Sequence, residues 1–140
     1  MRKTGAAMLF GGLLMVTFGA GGVPSDAEAR VVLDPFPADS GYYTVEQAER
    51  GNEVWDEGCV ECHELWEVRG EDFMFEWEGS SVGRLYRVIS RTMPDDNAGS
   101  LPQEDYFAVV AYILQLNDFP AGEVALGSDI EALDSLMIEP

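Results

Sequence analysis

Residues 59–63 read Cys-Val-Glu-Cys-His and hold both cysteines and the only histidine of the 140-residue chain. A chain that gathers its whole supply of soft metal ligands into five positions must fold around them. Three chemistries use such a cluster: a redox-active dithiol, a zinc site, or covalent attachment of haem. A Cys-x-x-Cys disulfide closes so small a loop that it restrains the unfolded chain little. A thioredoxin-like catalyst also needs a βαβ context, and no strand pattern is present. A closed zinc site wants four ligands, usually as two separated pairs, and only three adjacent ones are offered here. Haem attachment needs what is present. Two thiols three residues apart at the end of a helix can form thioethers with the two vinyl groups of one porphyrin. His63 then falls beneath the iron as its proximal ligand.

The rest of the chain bears this choice out by compartment and size. Arg2 and Lys3 precede an apolar, glycine-rich run from Gly5 to about Ala20, and Ala27-Glu28-Ala29 offers small residues at alternate positions. That is the pattern of a cleaved secretory leader over residues 1–29. The run is short for a membrane span and lacks a basic flank after it, so cleavage is favoured over an anchor. The protein is expected to be exported, to the periplasm or its equivalent, and membrane-anchored only if the leader is retained. Cleavage leaves 111 residues, one small domain, with the formal charge unchanged at −18 and no lysine. Such a surface repels nucleic acid and anionic lipid. A macrocycle also supplies apolar surface that a chain this short otherwise lacks.

The helical periods predict an all-α domain over residues 44–119, with an extended lead-in over 30–43 and a tail over 120–140. Thr44 and Gln47 form a capping box, and a first helix is expected from Val45 to about Glu57, ended by Gly58. Residues 64–80 read as irregular, rich in aromatics and acids. Ser80 or Ser81 caps a second helix to about Arg91, with Val82, Leu85, Tyr86 and Ile89 on one face and Arg84, Arg87 and Arg91 on the other. Residues 92–102 form a loop, and Pro102 opens a last core helix that runs to Asn117. In the tail, Ser128 and Glu131 read as a capping box for a short helix.

The sixth iron position decides between electron transfer and small-molecule binding. With no second histidine and no lysine after cleavage, the candidates are Met74, Met93 and Met137. Met74 follows His63 by only 11 residues, and Met137 lies in the tail. Met93 comes after a whole helix, and Pro94 stiffens the loop that presents it. The arithmetic of available ligands selects Met93 over the ordinary use of methionine as core filler.

The order TVEQAERGNEVWDEGCVECH, then VGRLYRVISRTMP, then GSLPQEDYFAVVAYILQLNDFPAG resembles a class I c-type cytochrome over about residues 42–123. It is most similar to the small monohaem cytochromes associated with bacterial quinoprotein (PQQ-dependent) dehydrogenases. The resemblance implies three to five helices around one covalent haem c, held through Cys59 and Cys62, with the first and last core helices crossing. It implies that Gly51 and Trp55 pack on Tyr112, that His63 and Met93 ligate iron, and that Trp77 lies near the haem propionates. In many members a proline carbonyl accepts the proximal imidazole N–H. No proline stands between His63 and Pro94 here, so that acceptor has no assignment from sequence. Pro102 also replaces the usual Ser or Thr cap of the last helix.

The function implied is one-electron transport between a periplasmic dehydrogenase or other donor and an oxidase or other acceptor, without catalysis by the chain itself. Its partners are then redox proteins, with no direct lipid binding once the leader is gone. The rivals are a haem-bearing subunit fixed in a larger membrane complex, and a haem sensor or peroxidase-like protein, which needs an open sixth position.

Overall fold

The computed structural model describes residues 41–140. The leader and the lead-in as far as residue 40 lie outside them. The described chain is helical: α1 (Val45–Val54), α2 (Gly70–Trp77), α3 (Val82–Thr92), α4 (Gln103–Leu116) and α5 (Ile130–Ser135). Among the described residues, extended pairing is limited to two isolated bridges, Tyr43 with Ala121 and Ser81 with Met137.

The centre of the fold is the crossing of α1 and α4. Residues Tyr106–Leu114 of α4 are buried without a break, so this helix is apolar all round. Helix α1 meets it with a flat spot. A Cβ built on Gly51 would overlap the carbonyl oxygen of Ala108, so glycine alone permits this approach. One turn on, the rings of Trp55 and Tyr112 lie 6.1 Å apart at 54°. The glycine and the two aromatics therefore meet as the family resemblance implied.

The first helix ends differently from expectation. Thr44 caps α1, its Oγ1 accepting the Gln47 N–H at 3.2 Å. The α-helix gives way at Trp55 to a π-helical turn, Trp55–Cys59, and Gly58 does not terminate it. The N–H of Val60 donates to Trp55 O at 3.2 Å, and those of Cys62 and His63 donate to Cys59 O at 3.1 and 2.9 Å. The helical hydrogen bonding thus continues through the cysteine motif. Single π turns of this kind often occur at functional sites.

Residues 64–80 are ordered, not irregular. A 3-10 turn, Leu65–Val68, opens on a capping box between Glu64 and Glu67. Gly70 then takes a φ of +69°, and its N–H donates to Asn117 Oδ1 at 2.8 Å, which starts α2. Asn117 Nδ2 reaches back to Val68 O at 2.9 Å and ties the segment to the end of α4. Of α2 only Phe73 is buried. One buried residue gives no apolar period to read, so the helix was invisible in the pattern.

The tail returns to the core. Leu126, Leu133 and Ile138 are buried with the helices. Gln47 clamps Leu126, its side chain bonding both the N–H and the carbonyl at 2.8 Å. Residues 136–138 run beside the start of α3, where Val82 N–H donates to Leu136 O at 2.8 Å and Ile138 N–H to Ser80 O at 2.9 Å. Helix α5 is capped by Asp129, whose Oδ1 accepts the Ala132 N–H at 3.1 Å, in place of the expected Ser128. Ser81 caps α3 as expected, accepting the Arg84 N–H at 3.1 Å, and Pro102 occupies the cap position of α4.

Candidate haem site

The π turn sets the two thiols. Cys59 is half-buried at the rim of the core and Cys62 is exposed, and both are free. Burial pushes the Cys59 thiol up from its ordinary value. A thiol held up in this way forms its thiolate less readily than an exposed one. Among the described residues, no three His, Cys, Asp or Glu side chains converge as a metal-ion cage.

His63 is held on one side only. Its Nδ1 lies 3.0 Å from Glu67 Oε2, and the same carboxylate oxygen accepts the Glu64 N–H at 3.3 Å. Its ring centroid lies 6.2 Å from that of Trp55. An imidazole that donates Nδ1–H to a carboxylate keeps the lone pair of Nε2 for a metal. The acceptor that sequence reasoning left unassigned is therefore supplied by Glu67. Its signal was the Glu64-x-x-Glu67 capping-box spacing, which folds the Glu67 carboxylate back toward the residues that precede the turn.

Met93 caps the C-terminus of α3, its N–H donating to Ile89 O at 2.9 Å. Its carbonyl accepts from Tyr106 Oη at 2.8 Å and from the Gly99 N–H at 3.2 Å. The residue is thus fixed from α3, from α4 and from its own loop. Met74, by contrast, packs against the core, and Met137 sits in the bridge to Ser81. Trp77, half-buried at the end of α2, carries the Arg84 guanidinium 5.3 Å from its ring centroid. The described contacts join Trp55, His63 and Glu67 in one neighbourhood, whereas Met93 and Trp77 each belong to another.

Comparison with known proteins adds one match. Residues 46–113, just under half of the chain, match the family described as cytochrome C oxidase, cbb3-type, subunit III. That match supports a class I c-type cytochrome. No curated protein and no solved structure matches the chain. The matched stretch contains the cysteine motif and Met93 and stops short of the tail. A cytochrome c domain of this type implies haem c, redox partners and electron transfer. Such domains are generally exported or membrane-associated, and no helix among the described residues is long and apolar enough to cross a membrane.

The residues present fit haem. Two free thiols and one imidazole are the donor set that covalent haem uses. Trp55 Nε1 is buried without a hydrogen-bond partner, an orphan that a polar group of a ligand can satisfy. Val60 within the motif and Leu65 and Trp66 just after it expose 49, 38 and 61 % of their surface. Covering such side chains with a macrocycle removes apolar area from water.

Proposed function

We propose that this protein is an exported monohaem c-type cytochrome, carrying single electrons from a periplasmic dehydrogenase or other donor to a downstream acceptor. The observation that carries the reading is the Cys-Val-Glu-Cys-His motif, with its imidazole held at Nδ1 so that Nε2 is left for iron. Residues 1–29 are the removed leader and residues 44–119 the haem domain, with the packed tail completing it.

Cys59 and Cys62 would hold haem c by thioethers, and His63 and Met93 would ligate its iron. Haem bound there supplies the iron that takes up and returns one electron. Were His63 and Met93 both to ligate that iron, exogenous ligands would be excluded, which suits a carrier and not a peroxidase or sensor. A methionine and a histidine ligand together would favour the ferrous state and raise the potential. Trp77 lies toward the propionates by the same resemblance, and its contact with Arg84 gives that edge a cation. The resemblance to cytochromes of quinoprotein dehydrogenases makes such an enzyme the first donor to try.

The test is direct. The purified protein should keep its haem on a denaturing gel, exceed the processed polypeptide by the mass of one haem, and show a low-spin spectrum in both oxidation states. Haem that leaves intact into acidified organic solvent would sink the covalent claim. A second reading, a haem subunit fixed in a membrane complex, is favoured by the name of the matched family, an oxidase subunit. Fractionation separates the two: a carrier appears in the soluble periplasmic fraction, a fixed subunit with the membranes until detergent is added.

A further inference from the structure

We infer that Glu67 is the positioning residue of the proximal side: its carboxylate accepts the Nδ1–H of His63 and makes Nε2 a stronger donor to the haem iron. The inference rests on the haem-carrier reading above. Three observations carry it. His63 Nδ1 and Glu67 Oε2 are 3.0 Å apart, within the ordinary range of an N–H···O hydrogen bond. The carboxylate is anchored, since Oε2 also accepts the Glu64 N–H at 3.3 Å while the Glu64 side chain accepts the N–H of Glu67. No proline follows the motif before Pro94, so the proline carbonyl that serves elsewhere is absent from this sequence stretch.

Both side chains are about a third exposed, at 35 and 37 %. A pair this open contributes little to folding stability. Its consequence falls on the ligand instead. A metal-bound imidazole whose other nitrogen donates to a carboxylate gains basicity. A more basic ligand favours ferric over ferrous iron, and the negative charge of Glu67 acts in the same direction. Glu67 therefore holds the potential below the value that the His–Met ligand pair gives with a neutral acceptor.

The test compares wild-type holoprotein with Glu67→Gln and Glu61→Gln. Glutamine at position 67 can still serve the capping box but carries no charge. Glu61→Gln removes one charge from the same loop without touching the imidazole. Glu67→Gln should keep covalent, low-spin haem and shift the ferrous:ferric ratio about tenfold toward ferrous, an upward change of about 59 mV for one electron. Because His63 is the only histidine, its Nδ1–H resonance in the diamagnetic ferrous protein is unambiguous, and it should move upfield in Glu67→Gln alone. An unmoved potential and resonance in haem-bearing Glu67→Gln overturn the inference and leave the carrier reading standing. So does a potential shift that Glu61→Gln matches while the resonance stays fixed, since Glu67 is then only a nearby charge. A wild-type protein without covalent haem overturns the carrier reading itself, and the inference with it.

Discussion

The carbonyl oxygen of Ala108 occupies the space into which any side chain at Gly51 would grow. This single contact sets how closely α1 approaches α4, and α1 leads straight into the turn that carries Cys59. The obstructing atom is backbone in the middle of a buried helix, so it cannot swing aside. Gly51→Ala should therefore cost about 1–3 kcal/mol, the range for overpacking a filled core. Denaturant melts of the holoprotein would check it. An unchanged midpoint would show that the two helices slide apart freely.

Met93 is the second point of leverage. Its backbone is gripped by Tyr106 and Gly99, which holds the residue in place whatever its side chain does. Met93→Ala should then keep the fold, convert ferric iron to high spin or to a substitute ligand, and lower the potential. Carbon monoxide should bind the reduced variant and hardly touch the wild type. The contrary result is a normal Met93→Ala spectrum with the low-spin form lost in Met74→Ala.

How much of this was legible beforehand follows physical lines. The caps at Thr44 and Ser81, the buried face of α3 and the whole of α4 were readable because local hydrogen bonding and a helical apolar period agree there. Helix α2 was missed because it buries only Phe73, and because it starts from a left-handed turn at Gly70 that carries no helical period. The π turn was missed because no composition marks a five-residue widening. Ser128 lost the cap of α5 to Asp129, one residue away and equally suited chemically. The motif itself was plain, but the acceptor of the His63 N–H had no assignment from sequence, and the nearest partner is the Glu67 side chain. Long-range docking of residues 136–138 beside α3 had no local signal at all.

Next to that stretch, α5 is tied to α3 by an ion pair whose pH dependence has a definite sign. Arg87 grips Asp134 with bonds of 2.7 and 3.0 Å, and Ser81 Oγ adds a third at 3.1 Å. The Arg87 guanidinium, more than any other group, holds the Asp134 carboxyl below its ordinary value. A carboxylate depressed in the folded state contributes stability above its unfolded pKa, about 3.9, and loses it as pH falls through the folded value. The contribution is small because the pair is open to solvent. Asp134→Asn should be slightly less stable than wild type near neutral pH, and the difference should start to shrink below about pH 4 and vanish once pH has fallen below the folded value. A difference that persists unchanged in acid would mean that packing of α5, not the charge, is what the substitution damages.

The arginines of α3 supply the last prediction. Arg84, Arg87 and Arg91 form a positive stripe on a chain of formal charge −18, and α3 ends directly at Met93. Arg87 is tied to Asp134, whereas Arg84 bonds Ser80 Oγ at 2.7 Å and lies over Trp77. Arg91 is exposed and makes no ion pair among the described residues. Steering toward an acidic patch on a partner then falls to Arg84 and Arg91, since the charge of Arg87 is largely offset by its carboxylate. Such steering is screened over a Debye length of about 8 Å at physiological salt. Electron-transfer rates with the true partner should fall as salt rises, and Arg84→Glu and Arg91→Glu should slow them at low salt. Glu123→Lys, on an exposed residue of the tail, should change them little. If Glu123→Lys has the larger effect, the acidic surface does the recognising and the stripe is a solvated helix face.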